Sequence, residues 1–192
     1  MNAFALDRYL LRRKFFSMIH TDFFIEDNSG NTVLWGRKKG FKLKEDIRLF
    51  ADAAMQNEVI AIAARSVLDF SGTYDVTDSQ LRTRIGSVRR KGLRSLLRDE
   101  WHILGSAEEQ IAIIQEDSQV LALVRRFLTE LVPQSFHVLI GGTPVAEFKQ
   151  HFNPFRFRLG IDFSLDARQQ LDRRLGLAAA TLVGTIEGRQ ND

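Results

Sequence analysis

Seven basic residues, Arg82, Arg84, Arg89, Arg90, Lys91, Arg94 and Arg98, lie between positions 82 and 98 with no acidic residue among them. Side chains of this kind at this density do one sort of chemistry, which is to hold anions. Arginine in particular presents a planar fork that meets two phosphate oxygens at once. Arg82, Arg84, Arg89, Arg90, Lys91 and Arg94 are therefore the candidate anion-binding residues. Along a strand Arg82 and Arg84 share a face, whereas Ile85 and Val88 fall on opposite faces unless the chain bulges at Gly86. A solvated face that merely aids solubility accounts for the same residues, and that reading stays open. Lys38, Lys39, Lys42 and Lys44 form a second basic stretch, where the solvated reading is the stronger one.

Other chemistries find little support. The chain has no cysteine, which removes disulfides, thiol catalysis, thiolate metal sites and S-acylation. Its four histidines, His20, His102, His137 and His151, show no metal-ligand spacing. Asp27-Asn28-Ser29-Gly30-Asn31 has the start of a calcium loop, but the twelfth position is Lys38 rather than Glu and the flanks are strand-like, so it reads as a hairpin turn. No Gly-x-Ser-x-Gly, Walker or Gly-x-Gly-x-x-Gly motif occurs. The acidic pairs Asp99/Glu100 and Glu108/Glu109 are adjacent, so on strands their members point to opposite faces. The expectation is a protein that is not an enzyme and holds no metal or cofactor.

The elements that must position the basic stretch are short strands. Turn signals at Asp27, Asp52 and Asp78 recur 25 and 26 residues apart, the length of a hairpin and its return. Apolar alternation places twelve strands near 10–17, 22–27, 32–38, 46–51, 58–65, 71–77, 83–90, 99–104, 110–115, 134–140, 144–150 and 156–163. Gly141-Gly142-Thr143-Pro144 reads as the turn between two of them. Residues 118–131 carry apolar side chains at helical spacing, with Ser118 as N-cap and Pro133 as stop, and a short helical turn fits 93–98.

The terminal segment differs from all of these. Asp166-Ala167-Arg168-Gln169 reads as a variant capping box that opens a helix over 166–187. Its second half, Leu175 to Ile186, is free of charge and apolar on every face. Those 12 residues fall short of the ~20 needed to span a bilayer as a helix. A helix apolar all round at the end of a β chain has to be enclosed by the sheet. At 192 residues and 44% hydrophobic content the chain reads as one domain over 1–192, with a core rich in its 15 Phe. With no secretory signal in Met1 to Leu11, a cytoplasmic protein is expected.

Leu159-Gly160-Ile161-Asp162-Phe163-Ser164-Leu165-Asp166 followed by a small-residue apolar helix resembles the end of phospholipid scramblases and LURP-one-related proteins. Phe24-Ile25-Glu26-Asp27, Gly30-Asn31 and Trp35-Gly36-Arg37-Lys38 resemble their opening hairpins. The resemblance implies the Tubby C-terminal-like fold: mainly β with a central helix, a closed twelve-stranded β-barrel around a hydrophobic C-terminal α-helix. Scramblases carry an acidic, calcium-linked cluster where this chain has Phe155-Arg156-Phe157-Arg158, and they carry Pro-rich, acylated N-termini that are missing here. Tubby-like domains that bind phosphoinositides use basic residues on the barrel exterior. The resulting expectation is a binding module of scramblase/LURP-one type that meets anionic phospholipid headgroups at a membrane surface, as a peripheral protein without a transmembrane segment. Nucleic-acid backbone binding and a protein-interaction scaffold are the alternatives; the 82–98 stretch has no aromatic on which a base could stack.

Overall fold

The computed structural model describes residues 2–13, 20–39, 46–66, 72–91, 100–116, 134–151 and 157–186. They form twelve strands: β1 Arg8–Arg13, β2 His20–Glu26, β3 Thr32–Lys39, β4 Asp46–Phe50, β5 Glu58–Ala64, β6 Thr73–Asp78, β7 Thr83–Arg90, β8 Glu100–Leu104, β9 Gln110–Glu116, β10 Ser135–Ile140, β11 Thr143–Gln150 and β12 Arg158–Asp162. One helix, α1 Arg173–Ile186, follows. Each strand pairs antiparallel with its neighbour in sequence, and β1 pairs with β12, placing Tyr9 opposite Ile161 and Leu11 opposite Leu159. The sheet is a closed barrel, so none of the described strands has an edge left to pair with another chain. The helices expected over 93–98 and 118–131 lie outside the described residues.

Strand alternation decides what faces inward. In β2, Thr21, Phe23 and Ile25 are buried, and in β4 and β5 the pairs Ile47–Ile62 and Leu49–Ile60 meet across the ladder with all four side chains fully buried. Phe23, Phe136, Phe148 and Phe163 are core residues, while Phe4, Phe24, Phe50 and Phe157 are only half-buried. The interior is therefore shared between Phe and the aliphatic residues of the strands. Two hairpins use the turns their residues require. Asp27 accepts the backbone N–H groups of Ser29 and Asn31 at 2.9 and 2.8 Å, and Gly141 and Gly142 both take positive φ.

Helix α1 fills the barrel, and every residue from Leu175 to Thr185 is buried. Its two threonines return their hydroxyls to the helix itself: Thr181 Oγ1 donates to the Leu177 carbonyl and Thr185 Oγ1 to the Thr181 carbonyl, each at 2.8 Å. Neither polar group is thus left unsatisfied in the lumen. Small residues set the fit. A Cβ on Gly176 would lie 2.7 Å from the Phe163 ring. Each large side chain here, such as Leu177 or Leu182, contributes roughly 1.5–3 kcal/mol by leaving water.

The helix begins at Arg173, not at Asp166. Gln169 takes φ +50°, which a continuing right-handed helix cannot contain. The N-cap is Asp172, whose Oδ1 accepts the Arg174 N–H at 2.9 Å. The Asp166 carboxylate is buried and holds the approach loop instead, accepting the N–H groups of Gln170 and Leu171 and the Arg173 guanidinium at 2.8, 3.0 and 2.8 Å. Burial pushes its pKa up, but these donors outweigh that and hold it below the usual carboxylate range. No helix among the described residues is long and apolar enough to cross a membrane.

Candidate anion-binding surface

The basic stretch falls on β7, the turn before it and the residue after it, and strand parity splits it. Val88 and Trp101 are fully buried on the inner face, and β7 and β8 pair Val88 with Ile103 and Arg90 with Trp101. Arg90 consequently points inward, its guanidinium 5.6 Å from the Trp101 ring centroid. Arg89 faces outward, opposite His102. The ladder to β6 pairs Val76 with Gly86 but Thr77 with Arg84, which makes Ile85 the extra residue of a bulge and returns Arg84 to the outer face. Arg82 is exposed in the β6–β7 turn at φ +52°. Arg94 lies outside the described residues.

Acidic residues from other elements come to meet these cations. Arg84 is ion-paired to Glu108, lies 3.3 Å from Asp75 Oδ1, and donates to the Ser106 carbonyl at 2.6 Å. Arg65, the residue after β5, joins the same group: its guanidinium grips Asp75 at 2.6 and 3.2 Å and Glu108 at 2.7 and 3.3 Å. Arg89 Nη2 is 3.6 Å from Glu108 Oε2, and its Nε donates to Thr73 Oγ1 at 3.2 Å. Three guanidiniums thus converge on the Glu108 carboxylate. Hydrogen bonds from Arg65 and then Arg84 bring the Glu108 pKa down to about 2, and the same two arginines, Arg65 foremost, hold Asp75 below its ordinary value.

A second, smaller cluster adjoins the first. Lys91 Nζ is 2.9 Å from Glu100 Oε1, and His102 Nε2 lies 2.6 Å from the same oxygen. His102 and, after it, Lys91 lower the Glu100 pKa. The described members of the basic stretch on the outer face are therefore engaged with carboxylates, with Arg82 as the exception.

Sequence reasoning did not include Arg65, Thr73, Asp75, Ser87 and Glu108, because a closed register brings them together from four segments. Glu108 sits in the five-residue turn 105–109, which the strands expected over 99–104 and 110–115 leave between them, at φ +67°, while Glu109 folds back to accept the Ala107 N–H at 3.1 Å. Asp75 is directly opposite Ser87, so both point outward. The Ser87 hydroxyl is fully buried there and has no hydrogen-bond partner.

The other lysine stretch divides too. Lys38 pairs across the ladder with the core residue Ile47 and is 2% exposed, so it is an inward-facing residue of β3, not part of a solvated loop. Lys39 is exposed, 3.6 Å from Asp46, and Lys42 and Lys44 lie outside the described residues. No group of three metal-ligating side chains occurs among the described residues.

A family model described as LURP-one-related covers residues 8–184. No curated protein matches the chain.

Proposed function

This chain belongs to the LURP-one-related family, and we propose that it is a non-enzymatic binding module that engages anionic phospholipid headgroups through the exterior of β6–β8. The observation that carries the reading is the convergence of Arg65, Arg84 and Arg89, from two elements, on a single outward-facing point. Arginines held by a rigid barrel at that spacing are already oriented for oxyanions, so little side-chain entropy remains to be lost on binding. The exposed Arg82 and the cationic Lys91 extend the positive edge on either side. Helix α1 fills the lumen and directs any ligand to the outer surface.

A nucleic-acid ligand is disfavoured by the same geometry. Trp101, the aromatic beside Arg90, faces the lumen and offers a base no stacking surface. The attraction to a headgroup is electrostatic and weakens with salt. Co-sedimentation with phosphatidylcholine vesicles, with and without an anionic phospholipid, tests the reading. Enrichment in the anionic pellet, lost at high salt and in the double variant Arg84→Glu with Arg89→Glu, is expected. Equal pellet fractions for both vesicles would overturn it.

A further inference from the structure

We propose that the Glu108 carboxylate is a built-in competitor, an internal stand-in for a phosphomonoester that occupies the arginine cradle until such a ligand displaces it. This rests on the anion-binding reading above and adds to it the ligand class and the means by which the site is held closed.

Three independent features point to displacement rather than to a permanent structural pair. The first is charge. Among the described residues, Arg65, Arg84 and Arg89 face Asp75 and Glu108; with Glu108 withdrawn, three guanidiniums oppose one described carboxylate, and the difference of two positive charges matches a phosphomonoester dianion. A phosphodiester, with a single charge, leaves the cradle unbalanced. The second is an unused donor. Ser87 projects to this face opposite Asp75, and its buried hydroxyl has no hydrogen-bond partner. A carboxylate offers two oxygens, and both are occupied by arginines. A tetrahedral group brings a further oxygen and gives that hydroxyl an acceptor. The third is the exposure of the plug. Glu108 is carried on an exposed turn, with its side chain 37% exposed, so rotation of one side chain empties the cradle while the barrel stays as it is. Its backbone sits in the left-handed region, which a non-glycine residue occupies only at some cost.

The experiment compares the wild-type chain with Glu108→Gln, Glu108→Gly and Glu109→Gln. The glycine variant removes the carboxylate at a position whose φ favours glycine, so it guards against loss of folding. The Glu109 variant makes the same change in net charge one residue away from the cradle. Each protein is titrated with inorganic phosphate, with phosphatidylcholine vesicles containing phosphatidic acid, whose headgroup is a phosphomonoester, and with vesicles containing phosphatidylglycerol, a phosphodiester. Both Glu108 variants are expected to bind phosphate and phosphatidic-acid vesicles at least about tenfold more tightly than wild type, a difference of about 1.4 kcal/mol. Glu109→Gln should gain little, and phosphatidylglycerol should discriminate weakly among the four.

If wild type binds anionic vesicles and the Glu108 variants bind no better, the competitor is overturned while the surface reading stands. A gain of the same size on phosphatidylglycerol, or in Glu109→Gln, also overturns it, because net charge then explains the result. A gain confined to inorganic phosphate supports the cradle and overturns the lipid reading. No binding by any of the four proteins overturns both.

Discussion

The Nη1 of Arg174, on the first turn of the lumenal helix, lies 2.6 Å from Oδ2 of Asp78 at the end of β6. The same carboxylate accepts the N–H groups of Gln80 and Leu81, so one side chain ties the helix to the rim and shapes the turn into β7. Asp78 is buried and its pKa is lowered, first by the Leu81 N–H and, after burial has opposed it, by Arg174. Replacing Asp78 with alanine leaves two turn donors and a guanidinium without their acceptor. A loss of about 2–3 kcal/mol is expected. Chemical denaturation of Asp78→Ala and Arg174→Ala, with the double variant to close the cycle, measures it; additive losses would show that the two residues act separately.

Gly176→Ala should destabilise the protein although alanine is the better helix former. The propensity gain is about 1 kcal/mol, whereas the added Cβ would sit 2.7 Å from a fully buried Phe163 ring. That ring has nowhere to go, since Tyr9 and Phe148 meet it edge-on at 6.1 and 6.3 Å between centroids. Overpacking of this kind costs about 1–3 kcal/mol, so a net loss of about 1 kcal/mol is expected. Adding Phe163→Leu to Gly176→Ala should recover part of the alanine penalty, as read from denaturation midpoints.

The Glu108–arginine group makes stability depend on pH in a defined direction. The Glu108 pKa falls from 4.5 to about 2 in the folded protein, so its contribution is complete above 4.5 and is lost as the pH drops towards 2. Asp75 shifts in the same direction, through Arg65. Wild type should exceed Glu108→Gln in urea midpoint at neutral pH, and the gap should close between about pH 4.5 and about 2. A gap that stays constant through this window would show that the charge of Glu108 is not what the arginines hold.

Removing residues 175–186 should unfold the whole domain. The inner faces of twelve strands would then enclose a void too large to collapse without breaking the ladder, and no other described element is placed to fill it. Circular dichroism and the solubility of the truncated chain decide the matter; a soluble, cooperatively folding truncation would contradict it.

The barrel was legible in the sequence because its determinants are local. Alternation over five to eight residues, as in Phe23 and Ile25 or Leu159 and Ile161, marks a strand without reference to its partner, and Asp27 with Gly30 marks a turn by itself. The start of the helix was misread for an equally physical reason. Asp166 has the chemistry of a cap, but the N–H groups it satisfies belong to a loop, and the residue that performs the capping, Asp172, lies between two runs of polar side chains that obscure it. At the candidate surface the cations were visible and their partners were not. Whether Arg84 meets Glu108 depends on a bulge at Ile85 and on the register of four strands, neither of which is encoded near Arg84. One part could have been found: Arg89 and Arg90 are adjacent on a strand, so one of them had to face the lumen.

The closure between β1 and β12 sets an order of events for the growing polypeptide. Arg8 and Asp162, joined at 2.9 Å across that seam, are 154 residues apart, and the helix that occupies the interior follows all twelve described strands. While the protein is being synthesised, the early hairpins present an apolar inner surface and the open edge of β1 to water, with neither their filling nor their closing strand yet available. Contacts of such long sequence separation form slowly, so the arrival of β12 and α1 determines when β1 becomes safe from aggregation.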